Sequence, residues 1–193
     1  MQRICVFCGS NPGRRPAYAE AARETGRVLV ERGLGLVYGG GKVGLMGIVA
    51  DTVLAGGGEV IGVIPEALMA REVGHAGLTR MHVVRTMHER KAMMADHADG
   101  FVALPGGFGT FEEFCEVLTW SQLGFHPKPC GLLNVAGYYD PFLALFDLAV
   151  DEGFVAPPHR SLAMEETDPG RLLDRFAAFR PPSASKWITR EER

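Results

Sequence analysis

Leu34-Gly35-Leu36-Val37-Tyr38 runs into Gly39-Gly40-Gly41-Lys42-Val43-Gly44, and a helical pattern follows from 44 to 55. An apolar run, a glycine turn and a helix make one β-α unit, and the same grammar recurs along the chain. Residues 3–8 read as a strand before a helix over 17–32. Residues 59–64 form a third strand, and 81–84 a fourth that leads into a helix over 87–97. A fifth strand, 100–104, enters Pro105-Gly106-Gly107-Phe108-Gly109-Thr110 and a helix to about residue 122. Strands over 131–135 and 162–164, with helices over 141–150 and 170–179, complete the pattern. The strands are rich in Val, Ile and Leu and lack period-two alternation, which predicts burial on both faces. Alternation with helices makes the fold α/β, a Rossmann-like doubly wound parallel sheet of about seven strands. Residues 1–180 are expected to form one α/β domain, and 181–193 a polar tail.

The chain has 193 residues, and its 23 acidic against 20 basic side chains leave a net charge of -3. That balance gives no electrostatic footprint for nucleic acid. No apolar run reaches the roughly 18 residues of a membrane span, and Met1-Gln2-Arg3-Ile4-Cys5-Val6 enters a strand without a signal-peptide pattern. A cytoplasmic protein is expected, with neither nucleic acid nor membrane as partner. Cys5 and Cys8 form a C-x-x-C, but their spacing puts them on opposite faces of a strand, where they cannot hold one metal ion. No metal or cofactor is expected.

Ligands of such sheets bind outside the carboxyl ends of the strands. Ser10 follows strand one and Gly41 lies in the turn after strand two. Glu72 follows strand three, Arg90 and Lys91 lie beyond strand four, and Gly106 to Glu113 follow strand five. Each motif reads two ways. The turn over 39–44 matches G-x-G-x-x-G, yet it follows the second strand and lacks the acidic partner of a dinucleotide site. It is either a tight packing turn or a nucleotide contact. The turn over 105–110 can present backbone N–H groups to a phosphate at a helix N-terminus. Thr110-x-x-Glu113 is equally a capping box, which would make Glu113 structural. Thr86-x-x-Glu89 is another. Arg90 and Lys91 then oppose the helix dipole; either both are solvated, or a phosphorylated ligand supplies the compensation.

Together, Cys8-Gly9-Ser10, Gly39-Gly40-Gly41-x-x-Gly44-Leu45-Met46-Gly47, Met87-His88-x-Arg90-Lys91 and Pro105-Gly-Gly-Phe-Gly-Thr-x-x-Glu113 resemble the Lonely Guy (LOG) family of cytokinin riboside 5'-monophosphate phosphoribohydrolases. The resemblance covers residues 3–179. It implies hydrolysis of the N-glycosidic bond of adenosine-type 5'-monophosphates to free base and ribose 5-phosphate. It makes Arg90 and Glu113 catalytic, and lines the nucleotide site with Glu72, Lys91, Gly106, Gly107, Phe108, Gly109, Thr110, Phe111, Glu112 and Thr119. Phe108 stands where many members have Tyr. The resemblance also implies a homodimer. Many members carry the label "lysine decarboxylase", but none of the four lysines, Lys42, Lys91, Lys128 and Lys186, lies in a recognisable Schiff-base motif. Two other readings are a non-catalytic nucleotide or molybdenum-cofactor carrier, and a dinucleotide oxidoreductase.

Overall fold

Each central strand is apolar on both sides, and in the computed structural model, which describes residues 1–69 and 74–181, both sides are covered. The strands are β1 (Arg3–Phe7), β2 (Gly35–Tyr38), β3 (Val60–Pro65), β4 (Arg80–Val84), β5 (Gly100–Ala103), β6 (Cys130–Leu133) and β7 (Ala163–Glu166). They form one sheet of seven in the order β4-β3-β2-β1-β5-β6-β7, and every pairing is parallel. The helices are α1 (Pro16–Glu31), α2 (Gly44–Ala55), α3 (Glu66–Met69), α4 (Met87–His97), α5 (Phe108–Leu123), α6 (Asp140–Asp151), α7 (Pro157–Arg160) and α8 (Pro169–Ala178). Two cores result. Ile4, Leu36 and Val102 point to the face covered by α1, α2 and α8, while Phe7, Val37 and Phe101 point to the face covered by α4, α5 and α6. Cys5 and Cys8 fall into different cores, as their spacing requires.

The expected burial fails on β4. It is an edge strand with one neighbour, and Arg80 and Val83 face solvent. The short helices α3 and α7 and a 3-10 turn at Val135–Gly137 have too few residues to show a period in sequence. β6 stops at Leu133, two residues early, because the Asn134 side chain takes the Tyr139 N–H at 2.8 Å and donates to Asp140 at 2.7 Å, turning the chain.

From β1 the chain steps outward to β4, then returns through α4, which lies across β1, β2 and β3, to start β5 beside β1. The switch point is therefore between β1 and β5. Gly9 N–H donates to the Pro105 carbonyl at 3.0 Å and Leu45 N–H to the Gly9 carbonyl at 3.0 Å, so three strand-end turns are tied together there.

Candidate active site

Arg90 and Glu113 meet over the carboxyl ends of β1, β2 and β3. Thr86 caps α4 by accepting the Glu89 N–H at 3.1 Å, and the Glu89 carboxylate takes the Arg85 N–H at 2.9 Å. That fixes the helix start and turns Arg90, its fourth residue, inward. Arg90 Nε donates to the Val63 carbonyl at 3.1 Å, and Nη1 lies 3.0 Å from Glu113 Oε1, with each side chain 11% exposed. A Cβ on Gly39 would overlap Arg90 Nη2, so glycine there makes room for the guanidinium. Burial pushes the Glu113 carboxyl above its ordinary value; Arg90 opposes the shift, while Glu112 adds to it.

Lys91 lies 2.6 Å from Glu112 and 2.9 Å from Glu116. Burial acts to lower its pKa, but the two carboxylates outweigh burial and raise it. Neither cation of α4 bends into water, then, and the compensation comes from carboxylates of α5, which neither reading of the sequence names.

The second glycine turn ends on Gly107, the N-cap of α5, and no side chain caps that helix. Thr110 is its third residue and Glu113 its sixth, so they are not a capping box; Thr110 is buried under the turn. The first N–H groups of α5 thus lack both an intrahelical partner and a side-chain cap. A Cβ on Gly106 would overlap Thr110 Oγ1, whereas one on Gly107 or Gly109 would meet nothing within 4 Å. A cleft of about 300 Å³ opens beside this turn at the switch point, lined by Ser10, Gly13, Tyr18, Gly106, Gly107 and Tyr138 among others.

The other expected site residues divide by place. Gly41 is buried and bridges Gly74 in antiparallel register. Phe108 is 91% exposed, while Phe111 packs on Tyr138, Tyr139 and Phe142. Glu112 is exposed and holds Lys91. Thr119 is 11 residues after Phe108, roughly 16 Å further along α5, where it lines a separate apolar groove with Leu118 and Phe146. Glu72 lies outside the described residues. Sequence reasoning missed Tyr18 and Tyr138 in the cleft, and the pair of His75 Nε2 with Asp51 at 2.8 Å, beside a His75 N–H that donates to the Gly40 carbonyl. Tyr138 stands just beyond the sixth strand, at the same sheet edge; the rule that located the other residues reaches it too.

A family model described as "Possible lysine decarboxylase" matches residues 46–176. The chain is 53% identical over 180 residues to the cytokinin riboside 5'-monophosphate phosphoribohydrolase LOG of Oryza sativa subsp. japonica, covering 93% of this chain and 74% of that protein. It is 52% identical over 180 residues to the cytokinin riboside 5'-monophosphate phosphoribohydrolase LOG7 of Arabidopsis thaliana, covering 93% and 83%. Among solved structures, the molybdenum cofactor carrier protein of Chlamydomonas reinhardtii has a TM-score of 0.70 at 22% identity, covering 92% of this chain and 99% of that one. The molybdenum cofactor binding protein of Rippkaea orientalis has a TM-score of 0.69 at 19% identity, covering 92% and 97%. These two establish a shared fold.

Proposed function

This chain belongs to the LOG family of cytokinin riboside 5'-monophosphate phosphoribohydrolases, and from that premise we propose that it hydrolyses the N-glycosidic bond of N6-modified adenosine 5'-monophosphates or AMP, releasing free base and ribose 5-phosphate. The observation that carries the reading is the buried Arg90–Glu113 pair, on the same sheet edge as an uncapped helix start with open glycines. Cleaving this bond builds positive charge on the ribose and negative charge on the base. The Glu113 carboxylate stabilises the oxocarbenium-like centre and orients or deprotonates the attacking water. Arg90 is a permanent cation with no proton to give. It keeps Glu113 ionised against the cost of burial and offsets negative charge in the transition state. The phosphate anchors at the start of α5, where N–H groups and the helix dipole favour an anion, and its binding energy positions the reacting bond. Ser10 and Lys91 border the nucleotide in this reading, with Glu72 on the ribose hydroxyls, while Thr119 lies in the separate groove further along α5.

Residues 1–180 then act as one nucleotide-binding domain, in a cytoplasmic homodimer. Exposed Leu145, Leu148 and Phe154 on and after α6 support a covered apolar face. Among the described residues, no helix is long and apolar enough to cross a membrane.

The test is chromatographic product analysis of wild type and Glu113→Gln with AMP, adenosine and isopentenyladenosine 5'-monophosphate. We expect free base from the monophosphates with wild type only, adenosine a far poorer substrate, and similar melting of both proteins. Because Glu113 must be ionised to act, kcat/KM falls as pH drops through a pKa above the ordinary 4.5. A carrier needs the cradle without the pair; AMP that raises the melting temperature of wild type yet releases no base would establish that reading instead.

A further inference from the structure

The backbone of the second glycine turn is sorted by polarity. The Leu104 carbonyl accepts the Tyr139 hydroxyl at 2.7 Å, the Pro105 carbonyl accepts the Gly9 N–H at 3.0 Å, and the Gly106 carbonyl accepts the Tyr138 hydroxyl. The Gly107 carbonyl accepts the Phe111 N–H at 3.1 Å. Four successive carbonyls are thus occupied by the protein's own donors. The Gly106 and Gly107 N–H groups, by contrast, donate to no described residue. In a trans peptide the C=O and the following N–H point in opposite directions. Holding the Gly106 oxygen on Tyr138 therefore aims the Gly107 N–H the other way.

Two glycines flank that peptide, and glycine resists a backbone flip less than any other residue. A flip would present the Gly106 oxygen where an anion is to bind. What opposes it is Tyr138, and Tyr138 is itself built into place. It leaves a turn in which Ala136 has φ 52, the one positive-φ residue other than glycine among the described residues. Arg15 donates to the Ala136 carbonyl at 3.1 Å, and the Tyr138 ring is flanked by Tyr18 edge-on at 5.7 Å and Phe111 at 6.4 Å.

We infer that Tyr138 is a positioning residue of the anion cradle: its hydroxyl, held on the Gly106 carbonyl, fixes the Gly106–Gly107 peptide so that the Gly107 N–H faces the bound phosphate. The inference rests on the reading of this turn as a phosphate site. Tyr139 supplies a control within the same turn. Its hydroxyl holds the Leu104 carbonyl, but the next residue is Pro105, which has no N–H to aim.

The experiment compares Tyr138→Phe and Tyr139→Phe, using inorganic phosphate as calorimetric probe, AMP for kinetics and melting for stability. Tyr138→Phe is expected to weaken phosphate binding and raise KM for AMP about tenfold, the order of one hydrogen bond to a charged ligand, with kcat within about twofold of wild type. Tyr139→Phe is expected to lower the melting temperature and leave phosphate affinity unchanged. Unchanged phosphate affinity in Tyr138→Phe overturns the inference, and so does an equal loss in both variants, since that would be general loosening. The hydrolase reading fails separately. A wild type that binds phosphate but releases no base loses the hydrolysis and keeps the cradle, whereas one that releases base but binds no phosphate keeps the hydrolysis and loses the cradle.

Discussion

Gly39-Gly40-Gly41 and Gly106-Gly107 each follow a buried parallel strand and lead into a helix, yet their glycines make room for different things. At the first turn the demand comes from the protein. Gly40 and Gly44 have φ of +78 and +61, which favours glycine, and a Cβ on Gly39 or Gly44 would overlap Arg90 or the Ser10 backbone. At the second turn only Gly106 is required by packing. Gly107 has φ -101, which any residue adopts, and neither it nor Gly109 has a neighbour within 4 Å of its Cβ position. The first turn seats a cation of the chain itself. The second leaves space that the chain does not fill.

The largest effect is expected from Gly39→Ala. The new methyl group meets the far end of a flexible side chain, so the fold tolerates it while the guanidinium shifts. Stability should fall by about 1–3 kcal/mol, because the displaced guanidinium loosens its buried contacts with Val63 and Glu113. Turnover should fall about 100-fold, the cost of misplacing a positioned group by about 1 Å, with phosphate affinity retained. Gly107→Ala should give the opposite profile: unchanged melting, kcat close to wild type, and KM for AMP raised about tenfold by a methyl group in the anion's space. Steady-state kinetics with phosphate calorimetry separates the two. If Gly107→Ala leaves KM and phosphate affinity unchanged, the open space is not the ligand's, and the two turns do not differ in the way proposed.

The sheet was legible because its central strands are apolar runs, two of them, β1 and β2, running into glycine and β5 into Pro105-Gly106, and a parallel doubly wound sheet puts all their carboxyl ends on one edge. That alone brought Ser10, Arg90 and Glu113 to the same side. What sequence could not decide was competition between local and distant partners. Thr110-x-x-Glu113 has the spacing of a capping box, and only the start of α5 at Phe108, one turn earlier than a Thr110 cap requires, releases Glu113 to Arg90. Lys91 against the α4 dipole looked uncompensated because its partners, Glu112 and Glu116, belong to another helix. Tyr138 lay within reach of the same sheet-edge rule, but an aromatic residue before an amphipathic helix reads as core, and only the fold shows its hydroxyl on Gly106.

The smallest expected effect probes how the second turn is held. The first turn takes its positive φ values on glycine, whereas the support of the second has Ala136 at φ 52. An L-residue in that region costs about 1–2 kcal/mol. Ala136→Gly removes that cost but adds unfolded-chain entropy of about 0.5–1 kcal/mol. The net gain should be about 0.5 kcal/mol, roughly 2 °C in melting temperature for a chain of this size. Strain retained at a binding site is the mark of a constraint that serves the site. Relieving it should let Tyr138 wander and weaken phosphate binding by about twofold. A drop in melting temperature would mean that the Ala136 methyl group contributes more through packing than its conformation costs, and the turn would then be held like any other. A rise with undiminished phosphate affinity would place the rigidity of the cradle in Asn134 and Arg15, which hold the turn from either side.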